Sequence, residues 1–240
     1  MNTTKILYST VFILVVFAFI FHVTAMGYHH WKKAIARIPN AGRRNETTIG
    51  LFTRCIPSAT NRTEICFPNK YPMNVSCDWT DCLPRTSNGG CQCDFLPSTK
   101  GIAVCTIIAS IFLGLSIIPL FIRSINTKKK NLIGVCLNFF PIVLLLLAFI
   151  LILVALILVG SYLSRDIMHA IRTRNIVIDL DSLRQTARRD YEIRVDWSTG
   201  LEIIALVLTF FSFIFYSIIV FKIDQPSQKE RLNNNNINQD

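Results

Sequence analysis

Charge is missing from long stretches of this chain. Residues 6–26, 101–122 and 132–163 hold no Asp, Glu, Lys or Arg, and 200–221 holds Glu202 alone. Several chemical signatures are missing as well. There is no glycine-rich phosphate loop, no Gly-X-Ser-X-Gly and no His-Glu-X-X-His. The nucleotide, serine-nucleophile and zinc-peptidase chemistries that need those spacings therefore have no foothold. We expect no enzyme, no catalytic residue, no cofactor and no metal site. The paired His29-His30 lacks a third ligand at a suitable spacing, so we read it as interfacial. The formal charge of +10 does not point to nucleic acid, because no basic stripe is interleaved with stacking aromatics.

What is present is apolar. Hydrophobic residues make up 51% of the 240, and the mean hydropathy is +0.43. About 20 apolar residues cross the roughly 30 Å hydrocarbon core as a helix. Inside lipid each backbone polar group must be paired within its own segment. The runs 6–26, 101–122, 132–163 and 200–221 are therefore four predicted transmembrane helices. The first is too long for a signal peptide's apolar region, so it reads as an uncleaved signal anchor. The third has 32 residues, which at 1.5 Å per residue is roughly 48 Å. Tilt absorbs little of that excess, so the helix should extend outward from the membrane. Residues 222–240, with Asn233 to Asn236 in a row, read as a disordered tail.

The long polar segment 27–100 holds six of the eight cysteines and the sequons at Asn45, Asn61 and Asn74. Its start, Tyr28 to Lys33, has the aromatic and basic pattern of a membrane interface. Residues 47–55 are rich in β-branched side chains and predict a strand, and 63–67 predict a second. Residues 57–62 between them have turn chemistry. A Cys55–Cys66 bridge would close this hairpin and contribute roughly 3 kcal/mol. Cys77, Cys82, Cys91 and Cys93 allow three pairings, and the sequence does not choose among them. Cys105 and Cys136 fall inside apolar runs and read as inert packing residues.

Sidedness follows from the loops. The connector 123–131 carries Arg123, Lys128, Lys129 and Lys130 and no acid, which places it in the cytoplasm. Clustered cysteines and sequons place 27–100 outside. Both termini are then cytoplasmic. Loop 164–199 has no cysteine. Its acids Asp179, Asp181, Asp190, Glu192 and Asp196 alternate with arginines and read as a solvated ion-pair surface. Residues 176–178 predict a short strand, and Glu202 reads as a residue at the membrane boundary.

Taken together, Trp31, then Gly50-Leu51-Phe52, then Cys55 and Cys66 resemble the Trp…Gly-Leu-Trp…Cys…Cys signature of claudins, within the superfamily of peripheral myelin and epithelial membrane proteins. Asp190-Tyr191-Glu192-Ile193 is similar to the Lys-Tyr-Glu-Leu stretch of that family. The resemblance implies a mainly α four-helix membrane bundle under a small extracellular antiparallel sheet, with one strand supplied by 164–199. It departs from the family at Phe52, which stands where claudins have tryptophan, and in the four extra cysteines. The chain also lacks a terminal Tyr-Val type of end.

Two functions are implied. One is claudin-like cell–cell adhesion, with a paracellular barrier or ion selectivity, at plasma-membrane junctions. The other is an auxiliary, gamma-like channel subunit or membrane-organising glycoprotein. The expected partners are the bilayer, further copies of the chain, or a membrane protein bound laterally through Gly101, Ala103, Ser110 and Gly114.

Overall fold

The computed structural model describes residues 3–36, 46–57, 64–73, 82, 91–125, 132–171 and 191–237. It is mainly helical. Helix α1 is Thr3–Gly27, α2 Pro97–Ile125, α3 Leu132–Ile171 and α4 Trp197–Ile237. Each contains a segment long and apolar enough to cross a bilayer: Lys5–Gly27, Pro97–Ile125, Phe139–Leu163 and Trp197–Phe221. Large apolar side chains such as Phe17, Ile111, Ile157 and Phe211 are left exposed on these helices. In water that would be a severe exposure of apolar surface; against lipid it is the expected one. The chain is a multi-pass membrane protein.

Helix α3 continues past Leu163 to Ile171, in line with the helical spacing of its sequence. Helix α4 also continues, to Ile237. This corrects the expectation of disorder after 221. Residues Gln228 to Leu232 are strong helix formers.

The chain divides into two compact units. The first, residues 1–21, 108–152 and 204–240, consists of segments of all four helices. Its core includes Val11, Val15, Ala18, Leu113, Leu145, Ala148 and Tyr216. Tyr8 meets Tyr216 edge-on at 6.1 Å, and Ser9 shares a 2.9 Å hydrogen bond with Ser124. Small residues let these helices approach: a Cβ on Gly114 would lie 3.7 Å from the Phe19 ring.

The second unit, residues 22–107 and 153–203, carries the sheets. Strands β1 (Lys32–Ala36), β2 (Glu46–Ile49), β3 (Thr53–Pro57), β4 (Glu64–Pro68) and β7 (Tyr191–Val195) form one antiparallel sheet in the order β4-β3-β2-β1-β7. Thus 27–100 supplies four strands and 164–199 one. The short β5 (Tyr71–Pro72) and β6 (Cys93–Asp94) pair separately.

The observed strands correct the sequence reading twice. Residues 47–55 are not one strand: Gly50-Leu51-Phe52 turns the chain, and β2 and β3 pair with each other. Lys32 and Lys33 open a strand, with Lys32 opposite Ile49 on one side and Val195 on the other. The strand expected at 176–178 lies outside the described residues, as do the turn residues 58–62.

Where β6 meets α2, the Lys100 ammonium bonds the Asp94 carboxylate, and the Phe95 N–H donates to the same side chain. These bonds, Lys100 foremost, hold the Asp94 carboxyl below its ordinary range. A lowered folded-state pKa means that this contact stabilises the fold above the ordinary carboxylate range. The contribution is lost as pH falls through the lowered value. In Lys100→Met the Asp94 carboxyl should titrate at higher pH than in the wild type, as read by carbon-13 NMR of labelled Asp. An unchanged titration would remove Lys100 as the cause.

Candidate functional site

The residues of the Trp31-to-Cys66 pattern converge, each for a distinct physical reason. Trp31 is fully buried, packed with Ala25, Leu51, Ile102, Ala155 and Val159. This corrects its reading as an interfacial ring. Its indole N–H donates to the Ala25 carbonyl at 2.6 Å. Ala25 lies in the last turn of α1, where carbonyls have no helical partner, so the indole satisfies an acceptor that the helix leaves open. The Trp31 carbonyl accepts from Asp196 N–H and the Thr199 hydroxyl. The start of α4 is completed by Ser198 N–H to the His30 carbonyl and by Trp197 N–H to the Asp196 carboxylate. One tryptophan thus joins the end of α1, the sheet and the start of α4.

Gly50 is required by a close approach. A Cβ there would lie 2.5 Å from His29 Cα and 3.0 Å from the Tyr28 carbonyl oxygen. The turn is held from below by Asn69, whose side-chain amide donates to the Gly50 carbonyl at 2.9 Å and whose N–H donates to the Phe52 carbonyl. Leu51 points into the Trp31 cluster, while Phe52 is exposed. Arg54 lies 5.0 Å over the buried Tyr71 ring, tying β3 to β5.

Cys55 and Cys66 face one another across β3 and β4 and are disulfide-bonded, with Cα atoms 4.1 Å apart. Cys82 and Cys93 form a second disulfide. Cys91 is also disulfide-bonded, and Cys77 lies outside the described residues. Cys105 is free and packs against the Trp31 cluster. Asn45, Asn61 and Asn74 lie outside the described residues.

The sequence reading did not single out the most unusual group. His22, within α1, is fully buried, and so is Glu202 on α4. His22 Nδ1 lies 2.8 Å and 2.9 Å from the two Glu202 carboxylate oxygens, and Nε2 lies 2.9 Å from the Thr106 carbonyl of α2. Glu202, expected at the membrane boundary, is enclosed by the protein itself. A carbonyl only accepts, so Nε2 carries a proton. A second proton lies between Nδ1 and the carboxylate, and the pair is neutral overall whichever atom holds it. That neutrality is how two ionisable groups persist within apolar surroundings. A signal was available, since His22 is the fifth residue from the end of the run 6–26 and Glu202 the third residue of the run 200–221, both on the side of 27–100.

The remaining predicted residues separate. His30 Nδ1 hydrogen-bonds the Asp196 carboxylate at 2.8 Å, and Glu192 bonds Arg194. Asp179, Asp181 and Asp190 lie outside the described residues. Tyr28 and Trp197, at the ends of two apolar segments, pack edge-on at 4.9 Å and stay exposed. His29 does not stand alone with His30. Its Nε2 lies 3.2 Å from the Glu64 carboxylate, beside the Cys55–Cys66 disulfide. That juxtaposition comes from strand pairing and could not be read from spacing.

No protein-family model matches the chain, and no curated protein matches it.

Proposed function

We propose that this protein is a claudin-like adhesion protein of the plasma membrane, in which 27–100 and 164–199 face outward and both termini face the cytoplasm. The observation that carries the reading is the five-stranded sheet seated on the ends of apolar helices by Trp31, and locked across β3 and β4 by Cys55–Cys66. Its outermost strands are β4 and β7. Such edges carry backbone donors and acceptors suited to pairing with another chain, here a second copy in the same or the facing membrane.

Charge suggests what such an assembly would pass. Residues 27–100 contain ten Lys and Arg and five Asp and Glu, a net of +5. A pathway lined by them repels cations. The alternative, a gamma-like auxiliary subunit bound laterally through small helix residues, has less support. A Cβ on Gly101 would meet Leu158 of this same chain at 3.7 Å, and Gly114 faces Phe19, so those two glycines serve contacts within the chain.

The test is expression of a tagged full-length chain in contacting epithelial cells. Enrichment at contacts only where both neighbours express it, with anion-favouring dilution potentials, is the expected result. Diffuse surface distribution with a stoichiometric co-purifying channel overturns it in favour of the auxiliary reading.

A further inference from the structure

Among the described residues one group of metal-ligating side chains converges: His29, Cys55, Glu64 and Cys66, whose ligand atoms all lie within 4.8 Å of one another. With the disulfide closed, neither sulfur is free to act as a ligand. The four are nevertheless held together by features other than that bond. Cys55 and Cys66 are opposite partners in a ladder of five residue pairs from Thr53–Pro68 to Pro57–Glu64. Glu64 stands two residues before Cys66, hence on the same face of β4. His29 is fixed from behind by the Gly50 backbone and from its neighbour by His30, whose carbonyl accepts the Ser198 N–H. Opening the disulfide therefore leaves two thiols, an imidazole and a carboxylate in one place.

We propose that the β3–β4 hairpin is a redox-gated site for a thiophilic divalent cation of the Zn2+ class, closed as a disulfide when oxidised and competent for four-coordinate binding when reduced. The donor set of two thiolates, one imidazole and one carboxylate matches the ligand types and number that Zn2+ takes. The proposal does not depend on the adhesion reading.

The gating step is thiol–disulfide exchange with a dithiol. Cys66 is exposed and Cys55 buried, so the accessible sulfur is that of Cys66. A reductant thiolate attacks Cys66 Sγ, the S–S bond breaks, and its electron pair leaves on Cys55 Sγ. The second reductant thiolate then attacks the mixed disulfide, releasing Cys66 as a thiolate and closing the reductant's own disulfide. The protein gains two electrons and the reductant loses two. The cation binds both thiolates in place of protons, displacing the His29–Glu64 contact as each side chain turns its donor atom to the metal.

The test uses full-length protein in nanodiscs, reduced with a dithiol that is removed before Co2+ alone is added. The reduced protein should take up about one Co2+ with thiolate-to-cobalt charge-transfer absorption; the oxidised protein should show none. His29→Ala and Glu64→Gln should each weaken binding by at least the roughly 10–100-fold that losing even an outer-shell partner costs. Neither variant removes a cysteine, so both retain the oxidised fold for comparison. Absence of the absorption in reduced wild type overturns the proposal. So does absorption that persists in Cys66→Ser, which would come from the other cysteines, or an affinity that neither His29→Ala nor Glu64→Gln moves.

Discussion

Glu202→Ala and His22→Ala should each lower unfolding stability by about 3–5 kcal/mol, the cost of leaving one member of a buried ion pair without the other. In Glu202→Ala the imidazole loses the acceptor for its Nδ1 side while Nε2 stays committed to the Thr106 carbonyl. In His22→Ala the carboxylate keeps no partner from the imidazole that bonds both of its oxygens. It must then take up a proton or admit water. The diagnostic variant is the double replacement His22→Leu with Glu202→Met. Apolar side chains of similar volume remove both desolvation costs together, and such exchanges are often neutral or stabilising. The double variant should therefore be more stable than either single alanine variant. Equilibrium unfolding in mixed micelles measures all four proteins and gives the coupling energy directly. Losses that simply add would mean that the two residues do not act as a pair. A stable double variant that no longer gathers at cell contacts would give the pair a role beyond stability.

The pair also marks the limit of what could be read from the sequence. The four apolar helices were legible because lipid imposes one rule on every backbone group within a span. The continuation of α3 past Leu163 was legible from the spacing of Ile167, Met168 and Ile171. The sheet was legible only in part. Residues 63–67 had the composition of a strand, and the strand observed is Glu64–Pro68, but the strand at Lys32–Ala36 was hidden behind two lysines and a tryptophan that read as a membrane interface. Its assignment depends on partners at both sides, Glu46–Ile49 and Tyr191–Val195, the second of which is more than 150 residues away. His22 and Glu202 were invisible as a unit for the same reason, since they lie 180 residues apart in the chain. Local composition encodes the type of an element. Contacts between distant segments encode what a polar residue is for, and a single sequence records those only indirectly.

Among the described glycines, Gly50→Ala should be the most damaging added methyl. The new Cβ would sit 2.5 Å from His29 Cα, 3.0 Å from the Tyr28 carbonyl oxygen and 3.1 Å from that of Thr53. All three are backbone atoms, so no side chain can rotate away to relieve the overlap. Either the Gly50–Phe52 turn lifts or the segment after α1 shifts, and each movement breaks a contact. Lifting the turn draws Leu51 from the Trp31 cluster and stretches the Asn69 amide bond to the Gly50 carbonyl. Shifting the segment moves His29 from Glu64 and pulls on the His30 carbonyl that receives the Ser198 N–H. Overpacking of this kind costs about 1–3 kcal/mol and sometimes more. Gly200→Ala is the matched control: it lies within α4 with nothing within 4 Å of a built Cβ. Alanine there should be neutral or stabilise by up to about 1 kcal/mol, because glycine is the poorer helix former. Thermal unfolding of the two variants side by side separates backbone crowding from a general effect of removing glycine. Equal melting temperatures for Gly50→Ala and wild type would show that the turn does not press on His29. In that case the close approach could not be what holds the hairpin against the end of α1.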